Sequence, residues 1–372
     1  MAFKFGIQSA QLKQFNIKVK GKWLNPSSIK SFSFTYGIDE LSMRGELVFL
    51  DQTNLSELIV YGDKIEISLT NFNNEQFIHS FLILHGSYKR DAQGYVVTSL
   101  FFEDPISVQL KKLYPIKGFD TPKNMVEIIT DVDTAKGPLK SKQDDFTPPS
   151  LKFPTFVVPR NKSFYWTIEY LKRKSDVLIF QTQKKIKIKK LKELVSKGPK
   201  QTYYYRANNE MSEKSFYDFT LNYVNEQDNI VYTQNLKADY FNPEKKEYQK
   251  TQTSFKKTTG EFPFQTVAPK FSTSEKEIFA TDVFYKDHLH NLYSLKTAEN
   301  FQLEILCFPT FKVEVGDIVK VSFPSLIDAA SPEMNIDGKW LIKRKTISIF
   351  GTSIVEKMNL IRAKSNPVHH PS

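Results

Sequence analysis

Apolar and polar residues alternate through much of the first hundred positions of the chain. In FNIKVK, Phe15, Ile17 and Val19 alternate with Asn16, Lys18 and Lys20; in SFSFTY, Phe32, Phe34 and Tyr36 alternate with Ser31, Ser33 and Thr35. A period of two places one set of side chains on a buried face and the other in water, so both stretches predict half-buried strands. KIEISL repeats the pattern with Ile65, Ile67 and Leu69, and GYVVTSLFF after Gly94 adds a further β-rich run. Residues 1–104 therefore predict an antiparallel sheet that curls into a barrel or sandwich, with one helix over an end. Within it, RGELVFLDQTNLSELIVYGDKIEISL (44–69) reads as strand, short helical turn and strand, with Asp51 closing the first strand and Gly62-Asp63 opening the second.

Near Asp104 the period changes to about 3.6. Pro122 suits a first helical turn after Thr121, and Met125, Ile128, Ile129 and Val132 fall on one face. TAKGPLKSKQDDFTPPSLKFP is too polar and too rich in proline for a core element. Ser163 then suits the N-cap of a helix in which Phe164, Ile168 and Leu171 point one way, with Lys172, Arg173 and Lys174 in its last turns. A strand, DVLIFQT, follows. In KKIKIKKLK (184–192), Ile186, Ile188 and Leu191 interleave with lysines, which predicts the second strand of a hairpin with a basic outer face. YDFTLNYVNEQDNIVYTQNLKADYFN is strand-like in both halves, and a polar stretch runs from Pro243 to Lys257. A second β block spans about Phe301 to Arg362, with FKVEVGDIVKVSF carrying another Gly-Asp pair, Gly316-Asp317.

A length of 372 residues with 40% hydrophobic and 14% aromatic composition predicts several domains with packed cores. A single cysteine, Cys307, excludes an intrachain disulfide framework and a cysteine-rich zinc site. The N-terminal stretch lacks a secretory signal's apolar core, and no window approaches the roughly 18 to 20 apolar residues of a membrane span, so cytoplasmic synthesis is expected. The net charge of +11 suits a phosphate-binding surface. It is mostly lysine, however, in a chain also rich in Asn, Phe, Ile and Tyr, the residues of A/T-rich codons, and a solvated lysine surface accounts for it.

Candidate chemistry is sparse. His79, His85, His288, His290, His369 and His370 show no metal-ligand spacing beyond the pair at 288 and 290, which lacks a third ligand. No phosphate loop, dinucleotide fingerprint or nucleophile elbow occurs. Asp51, Asp63 and Asp317 each stand at a strand edge beside a turn, where a carboxylate accepts backbone N–H groups. No catalytic residue, cofactor or metal is expected.

Taken in order, GELVFLDQTNLSELIVYGDKIEISL, FVVPRNKSFYWTIEYLKRKSDVLIFQTQKKIKIKKLKEL, YDFTLNYVNEQDNIVYTQNLKADYFN, VEVGDIVKVSF and GKWLIKRKTISIFGTSIVEKMNLIR resemble the baseplate hub protein of contractile-tailed bacteriophages, a family related to the hub part of the type VI secretion spike. The resemblance covers nearly the whole chain and rests on Asp51, Gly62, Asp63, Pro159, Asn161, Gly316, Asp317, Gly338 and Trp340 as structural pattern positions. At Pro159–Asn161 this chain reads Pro-Arg-Asn where the family has a Pro-Asn-like turn.

The resemblance implies a mainly β fold with α+β insertions: two tail-tube-like antiparallel β-barrel domains and a mixed α/β middle. The implied divisions are 1–104 for the first barrel, 105–205 for the middle, and 206–242 with 300–364 for the second barrel. An inserted segment, 243–299, would pack with the middle domain, and 365–372 would be a tail. It further implies a non-enzymatic homotrimer in the virion tail baseplate. Three subunits would present six barrels and join a hexameric tail tube protein to a trimeric central spike protein. Other baseplate proteins would surround it and DNA would pass through. Two other readings stay open: a nucleic-acid-binding β-barrel protein, with Tyr203, Tyr204 and Tyr205 as its stacking candidates, and a tail-associated cell-wall hydrolase.

Overall fold

A computed structural model describes residues 12–132, 139, 146–148, 152–153, 156–175, 177–183, 185–205, 214–223, 235–242, 247–253, 275–279, 299, 301–323, 336–350 and 353–362. The first β block comprises β1 (Gln14–Val19), β2 (Lys22–Trp23), β3 (Ile29–Gly37), β4 (Arg44–Leu50), β5 (Lys64–Thr70), β6 (Gln76–Arg90) and β7 (Val96–Glu103). A 3-10 turn, Leu55–Leu58, links β4 to β5. The middle contains α1 (Pro105–Lys112), β8 (Gly118–Phe119), β9 (Lys123–Asn124), α2 (Met125–Val132), β10 (Lys152–Phe153), β11 (Phe156–Val157), α3 (Phe164–Lys174), β12 (Leu178–Gln181), β13 (Ile186–Lys189) and α4 (Leu191–Val195). The remainder is β14 (Gln201–Tyr205), β15 (Ser215–Tyr223), β16 (Asn235–Asn242), β17 (Glu247–Thr253), β18 (Glu275–Phe279), β19 (Phe301–Cys307), β20 (Ile318–Ser322), β21 (Gly338–Phe350) and β22 (Ser353–Arg362).

The alternation is realised as read: Ile17, Val19, Phe32, Phe34, Tyr36, Ile65, Ile67 and Leu69 are all buried. Both β blocks share one 13-stranded sheet, ordered β2-β1-β5-β6-β7-β4-β3-β21-β20-β14-β15-β19-β22, and a further β21–β22 pairing closes its second part into a six-stranded barrel. The join between the blocks is β3 against β21, Ser31–Gly37 facing Arg344–Phe350. One hydrophobic core runs through both blocks, and a second, around Phe164, Ile168, Leu171, Ile128 and Ile129, belongs to the middle.

The two blocks repeat one backbone plan. The order β3-β4-β7-β6-β5-β1 in the first matches β15-β19-β22-β21-β20-β14 in the second. Even the irregularities match. β6 bulges between Ile83 and His85 and β21 between Ile342 and Arg344, while β3 bulges between Ile29 and Ser31 and β15 between Phe216 and Asp218. A bulge adds one residue to one strand and moves the rest to the other face, so matching bulges keep the two cores in phase. The sixth strand is where they differ: β14 runs parallel to both β20 and β15 and closes the barrel, whereas β1 runs antiparallel to β5 and no described pairing joins it to β3.

Several expected boundaries move. Gln201–Tyr205, expected in the middle segment, is a barrel strand, running parallel to β20 and β15. Asn235–Asn242, expected in the second barrel, instead pairs with β17 and β18 in a separate three-stranded sheet, so the insertion begins before residue 243. The helix expected to begin at Pro122 starts at Met125, because Asn124 and Glu127 form a capping box: Glu127 N donates to Asn124 Oδ1 (3.0 Å) and Asn124 N to Glu127 Oε2 (2.7 Å). Leu191, read as a strand residue, opens α4 and is buried. Ser163 caps α3 as its position implies, its hydroxyl accepting from Trp166 N at 3.3 Å.

Candidate functional site

The Gly-Asp pairs build the same turn twice. Gly62 and Gly316 take φ of +91° and +82°, a conformation that costs a β-carbon-bearing residue about 1 to 2 kcal/mol. Gly62 N donates to Ile83 O (2.8 Å) and Ile83 N to Asp63 O (2.8 Å); Gly316 N donates to Ile342 O (2.9 Å) and Ile342 N to Asp317 O (3.0 Å). Each aspartate accepts the N–H three residues before it, Asp63 from Val60 at 2.9 Å and Asp317 from Glu314 at 2.8 Å. Each also meets a lysine, Lys20 at 3.2 Å and Lys200 at 2.7 Å. Both turns start the strand that pairs with the bulged one.

Asp51 organises the connector before the first turn. Its carboxylate accepts Thr53 N (3.2 Å), Leu55 N (2.9 Å) and Ser56 N (2.7 Å). Burial alone would raise its pKa, but the bonds from Ser56, Leu55 and Thr53 outweigh it and hold the carboxyl below its usual range. Pro159 and Asn161 belong to the turn that delivers the chain to Ser163, with Lys162 N on Pro159 O at 3.1 Å. Gly338 opens β21 at φ +121°. Trp340, fully buried, donates Nε1–H to Ile336 O (2.7 Å) under the guanidinium of Arg362, 4.1 Å from its ring. The pattern residues thus lie at the head of one connector, in three turns and at the start of one strand; Trp340 faces Val319, two residues after Asp317.

The join between the blocks carries polar groups that alternation alone does not reveal. The Thr35 and Thr346 hydroxyls meet at 2.7 Å across β3 and β21, and Arg344 reaches Glu40 at 2.8 Å. Behind them Lys345 and Glu356, 1% and 0% exposed, pair at 3.0 Å. Lys345 Nζ also donates to Thr310 O (2.9 Å) and Val313 O (2.6 Å), and Glu356 Oε2 accepts Thr310 N (3.0 Å). Burial pushes the Glu356 carboxyl up to about 7, with Lys345 opposing. Burial likewise raises Glu314, and it raises the Tyr36 phenol with the Glu314 carboxylate adding to the effect. Glu75 spans the blocks from the first side: it accepts Phe311 N (2.9 Å) and pairs with Lys312 (2.8 Å). Burial would raise its pKa, but Lys312, Phe311 and Asn71 together lower it.

A second polar node ties the middle to the first block. Asp104 Oδ2 lies 2.7 Å from His79 Nε2 and accepts Gln181 Nε2 at 2.5 Å, while its Oδ1 caps α1 through Ile106 N at 2.8 Å. Its burial is outweighed by these partners, His79 foremost, and its pKa is lowered. The signal for the buried pair was present as phase: Lys345 shares the phase of Ile347 and Ile349, and Glu356 that of Ile354 and Met358. The bulge before Lys345 hides it, because counting from Trp340 gives the opposite face.

Other candidates resolve differently. Tyr203 is buried and Tyr205 packs on Phe216, Phe219 and Phe323, which leaves Tyr204 as the exposed member of the three. An exposed stacking face of three tyrosines does not form, because alternation turns 203 and 205 inward. In the hairpin, Ile186 and Ile188 are buried, and Lys187 and Lys189 are half-buried rather than free in solvent, with Lys189 Nζ on Thr147 Oγ1 at 3.1 Å. Cys307 is buried. His85 stacks on Phe101; His288, His290, His369 and His370 lie outside the described residues. Among the described residues no group of three His, Cys, Asp or Glu side chains is arranged to hold a metal, and no helix is long and apolar enough to cross a membrane.

No protein-family model and no curated protein matches the chain in sequence. Its fold does match solved structures. The 43 kDa tail protein of prophage MuSo2 from Shewanella oneidensis aligns over 96% of this chain and 99% of its own, with a TM-score of 0.59 at 9% identity. A tail protein from Neisseria meningitidis aligns over 93% and 95%, with a TM-score of 0.60 at 9% identity. An Escherichia coli component of the type VI secretion system, described as similar to T4 bacteriophage tail proteins, aligns over 96% and 79%, with a TM-score of 0.56 at 12% identity. The chain has the mainly β fold of phage tail proteins and of this type VI component.

Proposed function

We propose that the chain is the central hub of a phage tail baseplate: a trimer whose six β blocks form a ring joining a six-fold tail tube to a three-fold spike. The carrying observation is the backbone repeat. Two blocks of one plan, fused through β3 and β21, give three chains six like units, which is what a six-to-three adaptor needs. Likeness to tail proteins over nearly the whole of both chains supports the same reading.

In this role the protein is structural, not an enzyme. Its partners are the tail tube protein, the central spike protein and other baseplate proteins, and DNA passes transiently through the ring. Its place is the virion tail baseplate, after synthesis in the host cytoplasm. Obligate interfaces of this kind are large and apolar, and Trp23, Phe72, Ile78, Ile116, Val157 and Phe350 are each more than half exposed. The unit boundaries that follow are 1–104 for the first block, and 201–223 with 301–362 for the second. The lysine-bearing strand β13 faces outward or toward other baseplate proteins, since tight phosphate binding in the channel would oppose ejection.

The test is the solution mass by light scattering, alone and with the candidate spike protein. A trimer in either condition supports the hub. A persistent monomer that binds DNA with a steep salt dependence overturns it in favour of a nucleic-acid-binding barrel.

A further inference from the structure

Among the described residues, part of β6 and part of β15 each lack a neighbour on one side. β5 pairs with β6 as far as Leu82, and Ile83 bonds Gly62 and Asp63; from His85 to Arg90 the one neighbour of β6 among the described residues is β7. β14 meets β15 at Ser215 and Phe216; from Asp218 to Tyr223 the one neighbour of β15 among the described residues is β19. An unpaired edge presents a row of N–H and C=O groups that invites another strand. In the repeat, these two edges correspond to the second half of β21 and to β3, and inside the chain those two are already joined.

We propose that β6 of one copy pairs antiparallel with β15 of a second copy, reproducing between copies the β21–β3 join within each. The ladders fix the register. His85 occupies the place of Arg344, each being the first residue after its bulge. Leu221 occupies the place of Phe34, since Phe34 faces Gly45 and Leu221 faces Leu303 at matching rungs. Ser87 then faces Asn222 where Thr346 meets Thr35, a hydroxyl opposite an amide in place of two hydroxyls. Tyr88, 69% exposed in the single chain, faces Leu221 where Ile347 faces Phe34.

The space at the edge suits this occupant. Gly86 and Thr98 stand where the second block has Lys345 and Glu356, and in place of a filled interior they line a groove of about 340 Å³ with Val60, Tyr61 and Tyr88. The Thr98 hydroxyl there is buried and has no hydrogen-bond partner among the described residues. Register position 223, opposite Gly86, carries a tyrosine, as does position 36, opposite Lys345. The contact is head-to-tail, so it propagates until a ring closes. With three copies, a count that rests on the hub reading, three joins within chains would alternate with three between them.

The experiment is a disulfide trap in the full chain carrying Ser87→Cys and Asn222→Cys, oxidised with copper phenanthroline. Facing residues of antiparallel strands have Cα atoms about 4.5 to 5.5 Å apart, within disulfide reach. The expected result is covalent multimers that collapse on reduction, with no linkage for the off-register pair Ser87→Cys and Asp218→Cys. Light scattering on the same samples separates the two ideas. A trimer in which 87 and 222 stay unlinked overturns the join while leaving the hub standing, and an unlinked monomer also overturns the join. Linkage in a closed species of another size upholds the join and counts against the three-fold hub.

Discussion

The connectors leading into the two Gly-Asp turns do the same job by different means. Residues 51–63 are pinned by their own first residue, Asp51, through N–H groups two, four and five positions ahead. Residues 308–317 are pinned from elsewhere, Thr310 N by Glu356 and Phe311 N by Glu75, 46 and 236 positions away in sequence. The carboxylate that pins the first connector therefore comes from its own segment, whereas those that pin the second come from β22 and the first block. One backbone plan can be held by local or by remote carboxylates, and the remote version couples the folding of the two halves.

The largest way to break this contrast is Lys345→Met. The variant leaves Glu356 buried without its counter-ion and Thr310 O and Val313 O without their donor, and the expected cost is about 3 to 5 kcal/mol by denaturant unfolding. Replacing both, Lys345→Met with Glu356→Leu, should recover much of it. Thr98→Val, at the matching place in the first block, should cost little, since its hydroxyl has no hydrogen-bond partner among the described residues. The pH dependence follows from the raised carboxyl. A folded pKa of about 7 above an ordinary value near 4.5 means that the contribution of the protonated carboxyl is full below about pH 4.5 and is lost as pH rises through about 7. Glu356→Gln should flatten that slope, and an unchanged slope would refute the assignment.

Next in size are the glycines. Gly62→Ala should cost about 1 kcal/mol from its positive φ alone, since a β-carbon there meets nothing within 4 Å. Gly316→Ala should cost about 3 kcal/mol, because its β-carbon would lie 2.9 Å from the Phe180 ring as well. Equal losses would show that the second turn yields at no expense to the middle domain behind it. Smaller again is Glu75→Gln, expected at about 2 kcal/mol through weaker bonds to Phe311 N and Lys312. Hydrogen exchange should report it as faster opening around residues 308–317, with β4 to β7 unaffected.

What could be read in the sequence follows the same division between local and remote. Most strands of both blocks, the Ser163 cap and the hydrogen bonds of Asp51, Asp63 and Asp317 are local consequences of alternation and turn chemistry. They were visible because each side chain acts on residues within five positions. The Lys345–Glu356 pair, the Glu75 bridge and the His79–Asp104–Gln181 node join elements far apart, and Lys345 also lies beyond a bulge that reverses the phase of its strand. The boundary at 205 was misplaced for a related reason. QTYYY has the composition of any half-buried strand, and only its two parallel partners reveal that it closes the second barrel.

The smallest effect tests the local end of the comparison. Asp51→Asn keeps the shape and an acceptor oxygen but removes the charge from three N–H bonds, and about 1 kcal/mol should be lost at neutral pH. The parent carboxyl has a folded pKa lowered below its unfolded value, so its contribution is present above about pH 4 and disappears as pH falls through the folded value. The variant should therefore match the parent in strong acid and fall behind as pH rises past 4, opposite in sign to the Glu356 effect. Because the Asp51 bonds stay within one connector, the loss should appear in hydrogen exchange of residues 53–56 and leave 308–317 protected. If protection in the second connector also fell, the two halves would be coupled through the first turn as well as through Glu75, and the local pin would be as cooperative as the remote one.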